Sequence, residues 1–171
     1  MNKKIVLIFL IVITLIGAVL FFTRYNKNTS QTPETSDSIS TDKPEVYSAS
    51  FAIYTNGTFR IFTAPMYHNL SNDVFIQASN PNIVYVRKSN TTWRDFFATL
   101  PMKLDENCLT TGTNQIFCSD EKLTLQFYLN GEKNKSALDQ IINPGDKLLV
   151  TYEKENAATI QQQLQSIPNP E

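Results

Sequence analysis

The chain has 171 residues, of which 42% are hydrophobic, so it can bury a core, and its length suits one modest domain rather than a large multidomain enzyme. There are 15 Lys and Arg residues against 16 Asp and Glu, and the net charge of -1 excludes the basic surface that nucleic-acid binding requires. One His and two Cys leave few side chains for acid–base, nucleophilic or metal chemistry at neutral pH.

An apolar segment near the N-terminus predicts a membrane anchor. Residues 5–22 carry no charge, and a helix of that length rising about 1.5 Å per residue spans about 27 Å, close to the hydrocarbon layer of about 30 Å. A cleaved signal peptide is the alternative, but its apolar core is usually shorter and ends in a small-x-small site. Residues 19–24 read Val-Leu-Phe-Phe-Thr-Arg, which offers no such site, and no Cys follows to carry a lipid. We therefore predict an uncleaved transmembrane helix over residues 5–23.

The charges beside this segment do not fix its orientation, because Lys3 and Lys4 on one side face Arg24 and Lys27 on the other. A short tail is easily retained in the cytoplasm, and both cysteines follow the apolar segment. We therefore expect residues 1–4 in the cytoplasm and the C-terminal body outside the cell. Five N-x-S/T triplets are a weak additional sign of export in this Asn- and Thr-rich chain; they begin at Asn28, Asn56, Asn69, Asn90 and Asn134.

The segment after the anchor is polar. Residues 25–45 are mainly Asn, Thr, Ser, Gln, Asp, Glu and Pro, and Ile39 is their only bulky aliphatic side chain, too little apolar surface to offset the entropy of ordering. We predict a disordered linker over residues 24–46 and a folded domain over residues 47–171.

The first half of this domain reads as two antiparallel strand pairs followed by a helix. Asn56-Gly57 separates residues 51–55 from residues 58–62, and both turn residues tolerate the positive φ of a type I′ hairpin. The β-rich residues 74–76 and 83–86 predict a second pair.

An aromatic stripe at helical spacing predicts a short amphipathic helix with Thr92 and Asp95 at its start and Pro101 after its end. The stripe consists of Trp93, Phe96, Phe97 and Leu100. On a small β-rich domain such a stripe most often forms core, so we assign it to packing rather than to a ligand platform.

The second half of the domain begins with alternating residues 123–130, which predict a strand buried on one face. A short helical stretch over residues 136–142 is expected next, with Ser136 as its cap and Leu138, Ile141 and Ile142 facing inward. Residues 143–146 fit a type II turn before a last strand over residues 147–152.

A terminal helix follows, with Ala157, Ile160, Leu164 and Ile167 on one face and Pro168 at its end. This order of elements predicts an α+β domain with a mainly antiparallel, β-grasp-like sheet and two or three short helices.

Cys108 and Cys118 flank a turn-rich stretch that favours two short paired strands, so we predict a structural disulfide between them. A redox pair is the alternative, but the C-x-x-C spacing that activates a catalytic thiol is absent.

No catalytic residue, metal ligand or cofactor-binding residue can be assigned. His68 has no second His nearby, and we interpret it as an ordinary loop residue. Asp105-Glu106, Asp120-Glu121 and Asp146 fall in expected turns, where acidic residues serve turn geometry. A nucleophile elbow and a glycine-rich phosphate loop are absent from the sequence.

Six segments carry a resemblance to a group of small domains; they are residues 51–57, residues 92–97, Cys108 with Cys118, residues 127–131, residues 145–152 and residues 163–168. The domain resembles membrane-anchored or secreted, β-grasp-like domains of unknown function from archaea and uncultivated bacteria. The Asn-Gly and Gly-Asp-x-Leu-x-Val-x-Tyr pieces also look like the β-grasp-type domain at the C-terminus of transcobalamin-like proteins.

Many members of the first group have histidines that open the first strand and lie on the following β pair, which implies metal binding there. The matching stretches here read Tyr-Ser-Ala-Ser at residues 47–50, Val-Phe-Ile at residues 74–76 and Val-Tyr-Val at residues 84–86. Because Phe and Tyr cannot replace neutral imidazole ligands, the resemblance carries no metal function to this chain.

The sequence therefore predicts a single-pass membrane protein that displays an extracytoplasmic binding domain for another protein or an envelope component, with no cofactor. The alternative is an extracytoplasmic enzyme or metal-handling protein whose site is assembled from residues distant in sequence. A polar pocket lined by His68 and several carboxylates would favour that alternative, and shallow concavities would favour the binding domain.

Overall fold

The computed structural model describes residues 46–154 and 156–170. The ten strands of this part of the chain are β1 (Tyr47–Thr55), β2 (Thr58–Phe59), β3 (Val74–Phe75), β4 (Ile83–Val86), β5 (Lys103–Leu104), β6 (Cys108–Thr110), β7 (Ile116–Cys118), β8 (Thr124–Leu129), β9 (Glu132–Lys133) and β10 (Lys147–Glu153). Its helices are α1 (Trp93–Thr99) and α2 (Ala157–Gln165), with 3-10 turns at Pro65–Tyr67 and Ala137–Asp139. These elements confirm the predicted α+β class.

The larger sheet has seven strands in the order β3-β4-β1-β10-β8-β9, and β2 also pairs with β1. All pairs are antiparallel except the central pair of β1 and β10, which runs parallel with Phe51 opposite Leu148. Both predicted strand pairs are present. Asn56 and Gly57 have φ of 51° and 74°, as a tight β1–β2 hairpin requires.

One face of the sheet packs against α1. Phe51 of β1 contacts Phe96 and Phe97 of this helix edge-on, with ring centroids 5.3 and 5.7 Å apart. The helix begins with the predicted capping box, in which Thr92 accepts from the Asp95 amide and Asp95 accepts from the Thr92 amide. Trp93 and both phenylalanines are buried, which confirms that the aromatic stripe is core.

The opposite face packs against α2, and this corrects the prediction that β8 is buried on one face only. Gln126 and Tyr128 of β8, expected to face solvent, are 4% and 7% exposed. Tyr128 shares a cluster with Leu149 of β10 and Ile160 of α2. Asn156 caps this helix by accepting from the amides of two residues in its first turn. Alternation alone does not reveal that a later helix will cover the second face.

The predicted helical stretch over residues 136–142 is shorter than expected. Only the 3-10 turn Ala137–Asp139 forms, Ser136 gives no side-chain cap, and Ile141 is 44% exposed, whereas Leu138 and Ile142 are buried as predicted. The backbone after the turn pairs with the start of α1 instead, because the Ile142 amide donates to the Thr91 carbonyl oxygen at 2.9 Å.

The turn before β10 and the terminal helix follow the predictions in the main. Gly145 has φ of 84° and the Asp146 amide donates to the Asn143 carbonyl oxygen at 3.1 Å, as a type II turn requires. The C-terminal helix α2 buries Ile160, but Ala157, expected on its inner face, is exposed.

The smaller sheet consists of β5, β6 and β7 in that order, all antiparallel. Cys108 lies directly opposite Cys118 across the β6–β7 pair, and the two form the predicted disulfide. Leu109 and Phe117 of this hairpin pack against the same core as Phe51. The hairpin tip, residues 111–115, is thereby held beside the main sheet.

The predicted cytoplasmic tail, transmembrane helix and most of the linker lie outside the described residues. Within residues 46–154 and 156–170, no helix has the length and apolar character needed to cross a bilayer.

Candidate functional site

A mainly apolar cleft of about 360 Å³ separates the chain after the β1–β2 turn from the β6–β7 hairpin; we call it the hairpin groove. Its lining residues are Ile53, Thr58, Phe59, Arg60, Ile61, Phe62, Tyr67, Met102, Leu109, Thr111, Gly112 and Thr113. The volume falls within the range of small-ligand pockets, about 300 to 1,000 Å³. The groove therefore has the size and the apolar lining of a binding site.

The first wall of the groove is a partly unpaired strand. β2 pairs with β1 and with no other strand among the described residues. The Arg60 amide continues this pairing, since it donates to the Ile53 carbonyl oxygen at 2.8 Å. Neither the amide nor the carbonyl of Ile61 has a backbone hydrogen-bond partner in the described part of the chain. The outer edge of this wall is therefore open.

The second wall is the tip of the β6–β7 hairpin, and its close packing depends on Gly112. A Cβ atom at position 112 would lie 2.7 Å from Tyr67 Oη and 2.9 Å from the Pro101 carbonyl oxygen. Both distances are shorter than real Cβ contacts. Thr111 and Thr113 flank this glycine, and their hydroxyl oxygens lie 3.0 Å apart.

Arg60 joins the two walls and is the only charged residue among the described residues that line the groove. Its Nε donates to Thr55 Oγ1 on β1, and its Nη1 donates to Gln115 Oε1 on the hairpin tip at 3.2 Å. The guanidinium carbon lies 5.0 Å from the centroid of the Phe117 ring. Among the described residues Arg60 has no carboxylate within salt-bridge distance. The groove thus offers a cation without an acidic partner.

Apolar side chains are exposed around the groove. Ile61 on the rim is 68% exposed, and Met66, whose Cε lies 3.4 Å from the Cβ position of Gly112, is 46% exposed. Exposed apolar side chains around a concave apolar surface are typical of interaction sites.

Several other charged side chains stabilise the fold. Arg94 binds Asp139 and Glu106 and so ties α1 to the 3-10 turn and to the loop after β5; these hydrogen bonds raise the pKa of Arg94 and lower that of Asp139. Asp120 accepts from the amides of Leu123 and Lys122, which lowers the pKa of Asp120.

The other turn carboxylates behave as predicted. Asp105 Oδ1 accepts from the amides of Asn107 and Cys108. Asp146 is buried in its turn and accepts from the Asn143 amide at 2.8 Å and from Asn130 Nδ2 at 2.9 Å.

His68 does not face the groove or an acidic cluster. Its Nε2 donates to the Phe62 carbonyl oxygen at 2.8 Å, and it lines neither the groove nor two further clefts. The cleft beside α1 is mainly polar and contains Asp73, Lys88 and Asp95. The cleft beside β8 mixes polar and apolar surface and contains Glu106, Lys133 and Lys135. Within the described residues no group of three or more His, Cys, Asp or Glu side chains could hold a metal ion.

The sequence predictions did not include the groove. Arg60 and Gln115 are 55 positions apart, and no local pattern indicates that they meet. Two signals were present in the sequence: a lone Arg within the apolar residues 59–62, and two cysteines that flank a Gly- and Thr-rich tip. Comparison with known proteins gives no matching family model, no similar curated protein and no similar solved structure.

Proposed function

We propose that the chain is a binding module that holds a ligand with an apolar body and an anionic group in the hairpin groove. The observation that carries this proposal is Arg60, which lies in an apolar cleft without a carboxylate partner among the described residues. A carboxylate partner strongly stabilises a guanidinium in apolar surroundings, because a hydrogen bond between charged groups is about twice as strong as a neutral one.

We propose further that the module is displayed outside the cell on a single N-terminal transmembrane helix. The uncharged residues 5–22 support the anchor. The Cys108–Cys118 disulfide supports an oxidising compartment, since disulfides are rare in the cytosol. The partner is then a protein or another component of the cell envelope.

A β-grasp-like arrangement is part of the same proposal. The first and last long strands, β1 and β10, are parallel neighbours in the middle of the sheet, and α1 packs across β1. In this interpretation, α2 on the opposite face and the disulfide-closed β6–β7 hairpin are additions to a β-grasp-like core.

The groove can be tested with 4-phenylbutyrate, a small aryl carboxylate, and its neutral amide as a matched control. Methyl NMR of the isoleucines, on the full chain in lipid nanodiscs, reports on Ile53 and Ile61 in the groove and on Ile160 under α2. We expect phenylbutyrate to cause saturable chemical-shift changes at Ile53 and Ile61. These changes should be smaller with the amide and smaller in Arg60→Gln. Equal or larger shifts at Ile160 would overturn the proposal.

A further inference from the structure

We infer that the ligand of the hairpin groove is an extended polypeptide segment that adds as a strand to residues 59–62 and places an acidic side chain against Arg60. The inference rests on the proposed function and names the class of its ligand. It is supported by the unpaired backbone groups of the first wall of the groove and by the unpaired charge of Arg60 beside them.

In the described part of the chain, the first wall offers unpaired backbone groups at Ile61. The hydrogen-bonded pairs of the β1–β2 hairpin continue to Arg60, whose amide donates to Ile53. In an antiparallel pair alternate residues direct their amide and carbonyl outward, so Ile61 presents both groups to the open edge. Neither group has a backbone partner among the described residues. An incoming strand can accept from and donate to these two groups, which is the main-chain contact of β-strand addition.

The edge beside β2 differs in its side chains from the far end of the sheet. The outermost strand there is β9, which consists of the exposed charged residues Glu132 and Lys133. Charged side chains on a short edge strand discourage pairing with other chains. Beside β2, by contrast, the groove is lined mainly by apolar side chains, and Ile61 is 68% exposed. A strand added beside β2 would therefore lay its side chains against a mainly apolar surface.

Arg60 gives the groove a positive charge. The described residues that line the groove include no Asp or Glu, and Arg60 is the only ionic group among them. The Nε and Nη1 atoms of Arg60 donate to Thr55 and Gln115, whereas its Nη2 atom has no hydrogen-bond partner among the described residues. An acidic side chain of the peptide satisfies that nitrogen and neutralises the charge. The geometry thus selects a peptide with apolar residues and one acidic residue, and not a basic one.

The test uses blocked eight-residue peptides of alternating Val and Thr with one central position that is Glu, Gln or Lys. Their affinity for the full chain in nanodiscs is measured by fluorescence anisotropy. We expect the Glu peptide to bind about tenfold more tightly than the Gln peptide, and the Lys peptide to bind most weakly. Arg60→Gln should remove the preference for Glu, so that the Glu and Gln peptides bind the variant with equal affinity. A Glu preference that survives Arg60→Gln would overturn the role of Arg60.

The backbone contact is tested on both partners. Ile61→Pro removes the outward amide, and Ile61→Ala keeps it while shortening the side chain; we expect Pro to weaken binding about fivefold more than Ala does. On the peptide, N-methylation of alternate amides should abolish binding in one of the two alternating patterns and spare it in the other, because an edge strand is bonded along one side only.

Equal effects of the two methylation patterns, or no binding by any peptide, would overturn the inference. The proposed function fails separately, because it requires 4-phenylbutyrate to shift the groove methyl groups. Phenylbutyrate binding without a methylation preference would leave the groove as a binding site and remove the peptide as its ligand.

Discussion

The guanidinium carbon of Arg60 lies 5.0 Å from the centroid of the Phe117 ring. This contact joins the chain after the β1–β2 turn to the disulfide-closed β6–β7 hairpin, and the hairpin groove lies between these two segments. One side chain therefore both holds the walls together and supplies the charge of the groove.

Loss of this contact should have a modest effect on stability. We expect Arg60→Gln to lower the free energy of unfolding by about 1 kcal/mol, because a half-buried cation–π contact contributes about that much. Urea denaturation of Arg60→Gln, Phe117→Leu and the double variant measures the coupling between the two side chains. Fully additive effects would show that the contact contributes nothing.

The disulfide stabilises the groove wall. Closing the loop from Cys108 to Cys118 is expected to contribute roughly 2 to 3 kcal/mol by the chain-entropy estimate. The double replacement by Ser should therefore lower the urea midpoint, and dithiothreitol should have the same effect on the native chain but none on the Ser variant. An unchanged midpoint in both experiments would contradict a stabilising role.

The packing at Gly112 predicts a steric effect at that position. Gly112→Ala should destabilise the chain by about 1 to 3 kcal/mol, as overpacked positions typically do, because its Cβ would meet Tyr67 Oη and the Pro101 carbonyl oxygen. Adding Tyr67→Phe removes the hydroxyl but not the carbonyl, so only part of the loss should be recovered. Complete recovery of the thermal midpoint in the double variant would show that the backbone at Pro101 shifts to accommodate the added Cβ without loss of stability.

Acid should weaken the cap of α1. Hydrogen bonds from the Thr92 amide and hydroxyl hold the pKa of Asp95 below its ordinary value of 3.8. The folded state therefore favours the ionised carboxylate. That stabilisation is complete above pH 3.8 and is lost as the pH falls through the lower pKa of the folded state.

Asp95→Asn measures this contribution. The difference in unfolding free energy between the native chain and the variant should be largest at neutral pH and should shrink below pH 3.8. A difference that stays constant from pH 7 to pH 2 would contradict the assignment.

Local chemistry made much of the fold predictable. Asn56-Gly57 dictates a tight hairpin and Thr92 with Asp95 a helix start, whatever the rest of the chain does. Burial on the second face of β8 was not predictable, because it depends on α2 packing against Tyr128. The parallel pairing of β1 with β10 likewise joins segments nearly a hundred positions apart, as in Phe51 opposite Leu148.

The site was less predictable than the fold for the same reason. The roles of Asp105 and Asp120 in turns follow from the local sequence, and each accepts hydrogen bonds from nearby backbone amides. Arg60 looks ordinary in the sequence. It becomes distinctive only when the β6–β7 hairpin brings Gln115 and Phe117 beside it.

The proposed anchor and export can be checked together. Full-length protein should remain with the membrane fraction after carbonate washing and should be degraded by protease added to intact cells. Thiol labelling without reductant should modify neither Cys108 nor Cys118. Protein that is found only in the medium would contradict the anchor, and free thiols protected from external protease would contradict export.

The amide of Ile61 provides the most direct test of the hairpin groove as a strand-binding site. Its hydrogen exchange can be followed in the full chain in nanodiscs, with and without a saturating amount of the Glu-containing peptide. We predict fast exchange in the free chain, because this amide has no backbone acceptor among the described residues, and marked slowing when the peptide is bound. Unchanged exchange at Ile61, with new protection at Glu132 and Lys133 instead, would contradict this prediction.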